Sequence, residues 1–167
     1  MAFDNIVLIG MPGCGKSTVG VVLAKTLNLS FIDSDIVIQQ REGKKLCQIL
    51  DAVGDDGFRR IENEVNASLD CHRSVIATGG SVIYGREAME HLKQIGTVVY
   101  LKLSYPAIEE RLGDLHARGI TIKPGMTLKD LYDERCPQYE KWADIVIACD
   151  GLRLREVVAT LRTCLDA

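Results

Sequence analysis

Gly10-Met11-Pro12-Gly13-Cys14-Gly15-Lys16-Ser17 is the stretch on which the reading of this chain turns. It follows an apolar run, Ile6-Val7-Leu8-Ile9, and opens a segment of helical character from Thr18 to Leu27. Strand, glycine-rich loop and helix, in that order, is the setting in which G-x-x-x-x-G-K-[ST] denotes a phosphate-binding loop. Glycines let the backbone curl so that successive N–H groups face a phosphate at the positive end of the helix dipole. Lys16 can reach the β- and γ-phosphates of a nucleotide, and the Ser17 hydroxyl can ligate Mg²⁺. Gly13, Cys14, Gly15, Lys16, Ser17 and Thr18 are therefore the candidate nucleotide-binding residues, with ATP and Mg²⁺ the expected ligands. An ordinary strand-to-helix turn would not require the lysine and the serine.

Working outward, the 167 residues suit one domain spanning 1–167, with 47% hydrophobic and 26% charged residues and a net charge of −3. A slightly acidic chain without a basic stripe argues against a general nucleic-acid binder. The first residues carry no basic targeting segment, and the first apolar run is too short to span a membrane. Six cysteines without a C-x-x-C pair fit reduced thiols, hence a cytoplasmic protein, and a monomer is expected. Cys14 lies inside the phosphate loop, so thiol reagents should inactivate the protein by blocking it.

Short apolar runs alternate with segments of helical period, which predicts an α/β fold on a parallel sheet. The candidate strands are Ile6–Ile9, Ser30–Asp33, Ser74–Ala77, Thr97–Leu101 and Asp144–Ile147. Phe58, Ile61, Val65 and Leu69 share one helix face, as do Ile108, Leu112 and Leu115, and Leu154, Val157, Val158, Leu161 and Leu165 stripe a closing helix. Ser104 with Pro106 reads as a helix start. The glycine-rich stretch 112–127 is the candidate mobile lid.

Ligands bind beyond the carboxyl ends of the strands in an open parallel sheet. Asp33 and Asp35 end the second predicted strand, and at spacing i, i+2 they would face one side of an extended backbone. One could complete a Mg²⁺ shell and the other accept a proton from a substrate hydroxyl. Their other reading is an N-cap pair for a helix starting at Ile36. Arg59 and Glu62 stand three apart on a predicted helix and can pair, as many surface pairs do. Gly79 and Gly80 follow the third strand, where glycine lets a ligand approach the backbone or simply makes a tight turn. Arg111, Arg118, Lys123, Arg135 and Arg153 are the cations of the second half that could face phosphate. His72, His91 and His116 show no ligand spacing.

In series these residues resemble the shikimate kinase family along nearly the whole chain. The likeness is carried by Gly10–Gly20, Leu23-Ala24, Asp33-x-Asp35, Gly54 ahead of Phe58-Arg59, Glu62, Ala77-Thr78-Gly79-Gly80, Val98–Leu101, Arg135-x-Pro137-x-Tyr139 and Ala143-Asp144. The resemblance implies a P-loop NTPase-type three-layer fold with a five-stranded parallel sheet. It also implies transfer of the γ-phosphoryl of ATP to a hydroxyl of a small anionic acceptor, shikimate. Ser17 would then hold Mg²⁺ with Asp33 in support, and Asp35 would act as base on the acceptor hydroxyl. Arg59 and Arg135 would clamp its carboxylate, Glu62 would orient Arg59, and Gly79 and Gly80 would wall the acceptor. Lys16 and a lid cation, Arg118 or Lys123, would stabilise the transferring group, and Arg111 and Arg153 would flank the adenine. The chain departs from the family at Ser81, usually a third glycine, at Asp55, usually glutamate, and in the lid, Arg118-Gly119-Ile120-Thr121-Ile122-Lys123-Pro124 in place of Arg-Pro-Leu-Leu. Other acceptors on the same fold (a cyclitol, a sugar acid, an amino-acid hydroxyl) remain open, as does a nucleotide-binding module without transfer. The Asp-Gly-[Phe/Tyr]-Pro-Arg signature of nucleoside monophosphate kinases is absent.

Overall fold

The structure is a computed structural model and describes residues 5–112, 120 and 122–166. Five strands form one sheet: β1 (Asn5–Ile9), β2 (Ser30–Asp33), β3 (Ser74–Ala77), β4 (Gly96–Lys102) and β5 (Ile145–Ala148). Their order is β2-β3-β1-β4-β5, and every neighbouring pair is parallel. Every residue of β1 and β3 is buried, as are the five inner residues of β4. Strands buried along their whole length have both faces covered, which is why they read as continuous apolar runs rather than alternating ones. The edge strands β2 and β5 are partly exposed.

The helices are α1 (Lys16–Leu27), α2 (Ser34–Glu42), α3 (Leu46–Ala67), α4 (Arg86–Ile95), α5 (Tyr105–Arg111), α6 (Leu128–Trp142) and α7 (Leu154–Asp166), with a 3₁₀ turn at Val82–Tyr84. Helix α1 packs on α7 and α3 on α4. A smaller apolar cluster, Ile38, Ile49, Leu50, Phe58 and Val65, ties α2 to α3 apart from the main core. Helix α3 is broken at Gly54, whose φ of 68° and ψ of −178° are not helical. There the left-handed φ turns the chain between two helical pieces.

All five strands lie within one residue of their expected positions. Helix α2 starts at Ser34, two residues before Ile36, so Asp35 belongs to its first turn and not to an extended strand end. Leu69 lies beyond α3 and Leu154 is 37% exposed, so neither completes the helix face expected of it. Ser104 does precede α5, with Pro106 in the first turn. Leu115 and most of the expected lid, 113–119 and 121, lie outside the described residues. No described helix is long and apolar enough to cross a membrane.

Candidate active site

The loops leaving the carboxyl ends of β1, β2 and β3 meet at one edge of the sheet and enclose a cavity of about 450 Å³. Its floor is the 10–17 loop. Gly15 caps α1 with a φ of 98°, a left-handed conformation suited to glycine. No side chain caps α1, and its first turn holds no acid. Its leading N–H groups are therefore left for a ligand, and the dipole favours an anion there. Lys16 is buried, and its ammonium donates to the carbonyls of Gly10 at 2.8 Å and Met11 at 3.0 Å, with Cys14 Sγ 3.7 Å away.

Asp33 links this loop to the next. Its Oδ2 accepts from Ser17 Oγ at 2.7 Å, and its Oδ1 caps α2 by accepting from the Asp35 N–H at 3.0 Å. One side chain thus caps α2 and accepts from the hydroxyl of Ser17 in the phosphate loop. A hydroxyl and a carboxylate, all oxygen donors, suit a hard cation such as Mg²⁺. The first turn of α2 brings Asp35 into the cavity. Burial and the Asp33 charge push its carboxyl up to about 6, against the pull of Lys16.

Close to Asp35 stands Glu62 on α3, 1% exposed. Burial pushes its carboxyl up to about 7 and the nearby Asp35 charge adds to the rise, while the Ser81 hydroxyl, Arg135 and Arg59 oppose it. Glu62 Oε2 accepts from Ser81 Oγ, while Oε1 has no hydrogen-bond partner among the described residues. Gly79 and Gly80 lie in tight space, against two carboxylates and a proline ring respectively. A Cβ at Gly79 would stand on Glu62 Oε1 and 2.9 Å from Asp35 Oδ1. At Gly80 it would meet the Pro12 ring at 2.7 Å and Arg135 Nη1 at 3.1 Å. Tyr139, fully buried on α6, donates to the Gly80 carbonyl at 2.6 Å and fixes that wall.

Arg59 and Arg135 both line the cavity. Neither forms an ion pair with a carboxylate of the described residues, and the Arg135 Nε is buried without a partner among them. The expected Arg59–Glu62 pair is not made. Arg59 instead lies over the Tyr84 ring, 3.9 Å from its centroid, and Arg135 lies 5.5 Å from the same ring. Sequence reasoning missed Tyr84. Its signal was an aromatic residue four positions past Gly80, on a turn leaving the ligand edge.

A second cavity of about 290 Å³ shares Gly13, Gly15 and Thr18 with the first and is otherwise lined by Cys14, Val19, Arg111, Cys149, Leu152, Leu154 and Val157. Arg111 Nη1 donates to the Gly13 carbonyl at 3.4 Å. Arg153 does not line it. This residue is exposed, and its backbone N–H donates to Glu156 at 2.6 Å. Lys123 is exposed and lines neither cavity, and Arg118 lies outside the described residues. Together the two cavities form one cleft: a bare helix N-terminus and a lysine in the middle, a slot of mixed polarity on one side, and on the other two carboxyls and two guanidinium groups without a carboxylate partner among the described residues. Such a cleft can hold a nucleotide's phosphates against a small carboxylate-bearing molecule.

A family model described as shikimate kinase matches residues 12–166. A shikimate kinase of Thermodesulfovibrio yellowstonii is 40% identical over 156 residues, 92% of this chain and 90% of the relative. Among solved structures, a shikimate kinase from Acinetobacter baumannii in complex with shikimate is 30% identical, with a TM-score of 0.82 over 98% of this chain and 93% of the other. That of Aquifex aeolicus is 34% identical, also at 0.82, over 97% and 96%. Sequence and backbone converge over almost the full length, and this chain belongs to the shikimate kinase family of phosphotransferases.

Proposed function

We propose that this chain transfers the γ-phosphoryl group of ATP to a hydroxyl of shikimate, giving shikimate 3-phosphate. The observation that carries the reading is the pair Arg59 and Arg135, without a carboxylate partner among the described residues, lining a cavity whose floor is the phosphate loop. Two cations in a site where Arg135 is 4% exposed are costly unless the ligand supplies an anion, and a guanidinium fork matches a carboxylate. An uncharged cyclitol would leave both unpaired.

ATP phosphates lie on the α1 N-terminus, with the adenine in the slot between Arg111 and Leu152, Leu154 and Val157. Lys16 exchanges its bonds to the Gly10 and Met11 carbonyls for phosphate oxygens. Asp35 takes the proton of the acceptor hydroxyl, which its raised pKa equips it to do near neutral pH. Arg59 and Arg135 hold the acceptor's carboxylate so that the hydroxyl lies in line with the γ-phosphorus. Ser17 and Asp33 would hold Mg²⁺, which when bound neutralises charge on the phosphates. Cys14 and Thr18 line the nucleotide side. Six free cysteines support a reducing cytoplasm.

A coupled ADP-release assay with Mg-ATP, with and without shikimate, tests the reading. Shikimate-dependent turnover of at least ~1 s⁻¹, the low end for kinases, is expected. ATP binding without any shikimate-dependent release would refute the acceptor.

A further inference from the structure

Arg59 and Glu62 stand three apart on α3, the spacing at which opposite charges close on each other. Here they do not, and the turn running from Ser81 to Tyr84 accounts for both halves of the separation. Ser81 donates to Glu62 Oε2, while the Tyr84 ring carries Arg59 at 3.9 Å. The Tyr84 hydroxyl in turn donates to Glu134 Oε2 at 3.0 Å, which anchors the ring to α6 one residue from Arg135. Arg135 lies 5.5 Å from the same ring. One aromatic side chain thus gathers two like charges that would otherwise repel, and its ring attracts a cation.

We propose that Tyr84, with Ser81, is a positioning element for the acceptor: the turn keeps Glu62 from neutralising Arg59 and presents Arg59 and Arg135 side by side to a carboxylate. This rests on the proposed function, because it supposes that the acceptor carries that carboxylate. Tyr84 touches no reacting atom and acts through the two arginines. Its removal lets Arg59 fall back on Glu62, which lowers affinity for the acid without altering the nucleotide side or the transfer step.

The test compares wild type, Tyr84→Phe, Tyr84→Leu and Ser81→Ala on shikimate and on its uncharged methyl ester, with ATP KM and thermal midpoint measured for each. Tyr84→Leu is expected to raise shikimate KM about 10-fold, the scale of a cation over a ring in a partly desolvated site, with kcat and ATP KM within about twofold of wild type. Tyr84→Phe keeps the ring and restores a KM near that of wild type. Ser81→Ala frees Glu62 and also raises shikimate KM, so the inference stays testable if Tyr84→Leu does not fold. The KM for the ester should change in neither variant. An unchanged shikimate KM in Tyr84→Leu, an equal rise on acid and ester, or a joint loss of kcat and ATP affinity would each overturn the positioning role and leave the proposed function standing. Wild-type enzyme that fails to turn over shikimate, or uses acid and ester equally well, would instead overturn the proposed function, and this inference with it.

Discussion

Replacing Glu62 by glutamine should stabilise the ligand-free protein at alkaline pH and do little in acid. Glu62 is 1% exposed, and its carboxyl is pushed from 4.5 to about 7, chiefly by burial. Below about pH 4.5 the group is protonated both folded and unfolded, and it carries no penalty. Between 4.5 and 7 the folded chain binds more protons than the unfolded one, so stability falls as pH rises. Above about 7 both states are ionised and the full cost is present. At about 1.4 kcal/mol per pH unit over roughly 2.5 units, the cost reaches about 3 kcal/mol. Glutamine has the same shape, can still accept from Ser81, and can turn its NH₂ toward Asp35. Urea denaturation of Glu62→Gln and wild type at pH 4.5, 6 and 8 reads the difference directly. The stability gap should open in favour of glutamine by 2–3 kcal/mol between the ends of that range, order-of-magnitude figures from the same linkage. Parallel curves would mean that Glu62 titrates normally, and the account of a buried, half-satisfied carboxylate would be wrong.

Asp35→Asn should cut turnover on the order of 10²-fold or more while ATP still binds, as loss of a positioned base requires; unchanged turnover dismisses Asp35 as the base. With its carboxyl near 6, wild-type kcat/KM for shikimate should fall about tenfold from pH 7 to pH 5, because the base works only when ionised. A profile flat through that range would count against it. Arg59→Ala should raise shikimate KM by about 10- to 100-fold, the worth of a charged hydrogen bond, with ATP KM unchanged; an effect confined to ATP would sink the carboxylate clamp. Tyr139→Phe removes the donor to the Gly80 carbonyl and should cost about 1–2 kcal/mol in denaturation while loosening the acceptor wall. Stability equal to wild type would show that the wall does not depend on that bond.

The sheet was readable because its strands are buried on both faces, so each appears as an uninterrupted apolar run between turn signals. The phosphate loop was readable because its glycines, lysine and serine are constrained locally, within one turn and the first turn of a helix. Residues whose position depends on a distant element were not. The i, i+3 rule paired Arg59 with Glu62 because it sees only their own helix, and the partners that separate them come from a turn some twenty residues later in the chain. Asp35 was expected on a strand end because spacing cannot show that Asp33 caps a helix two residues early. Tyr139 stood in a recognisable motif, yet its bond to Gly80 exists only once α6 lies beneath the third strand's loop.

Pro12 and Gly80 belong to different loops that line one cavity, and they touch so closely that residue 80 has no room for a methyl group while a proline ring stands at 12. The two positions therefore cannot drift independently. A library that randomises both should recover larger side chains at 80 only alongside smaller ones at 12, and the fitness of each substitution should invert with its companion. The boundary between the nucleotide half and the acceptor half is thus a site of epistasis. A change of acceptor preference engineered at the glycine wall would need a matching change at Pro12, in the loop that floors the same cavity.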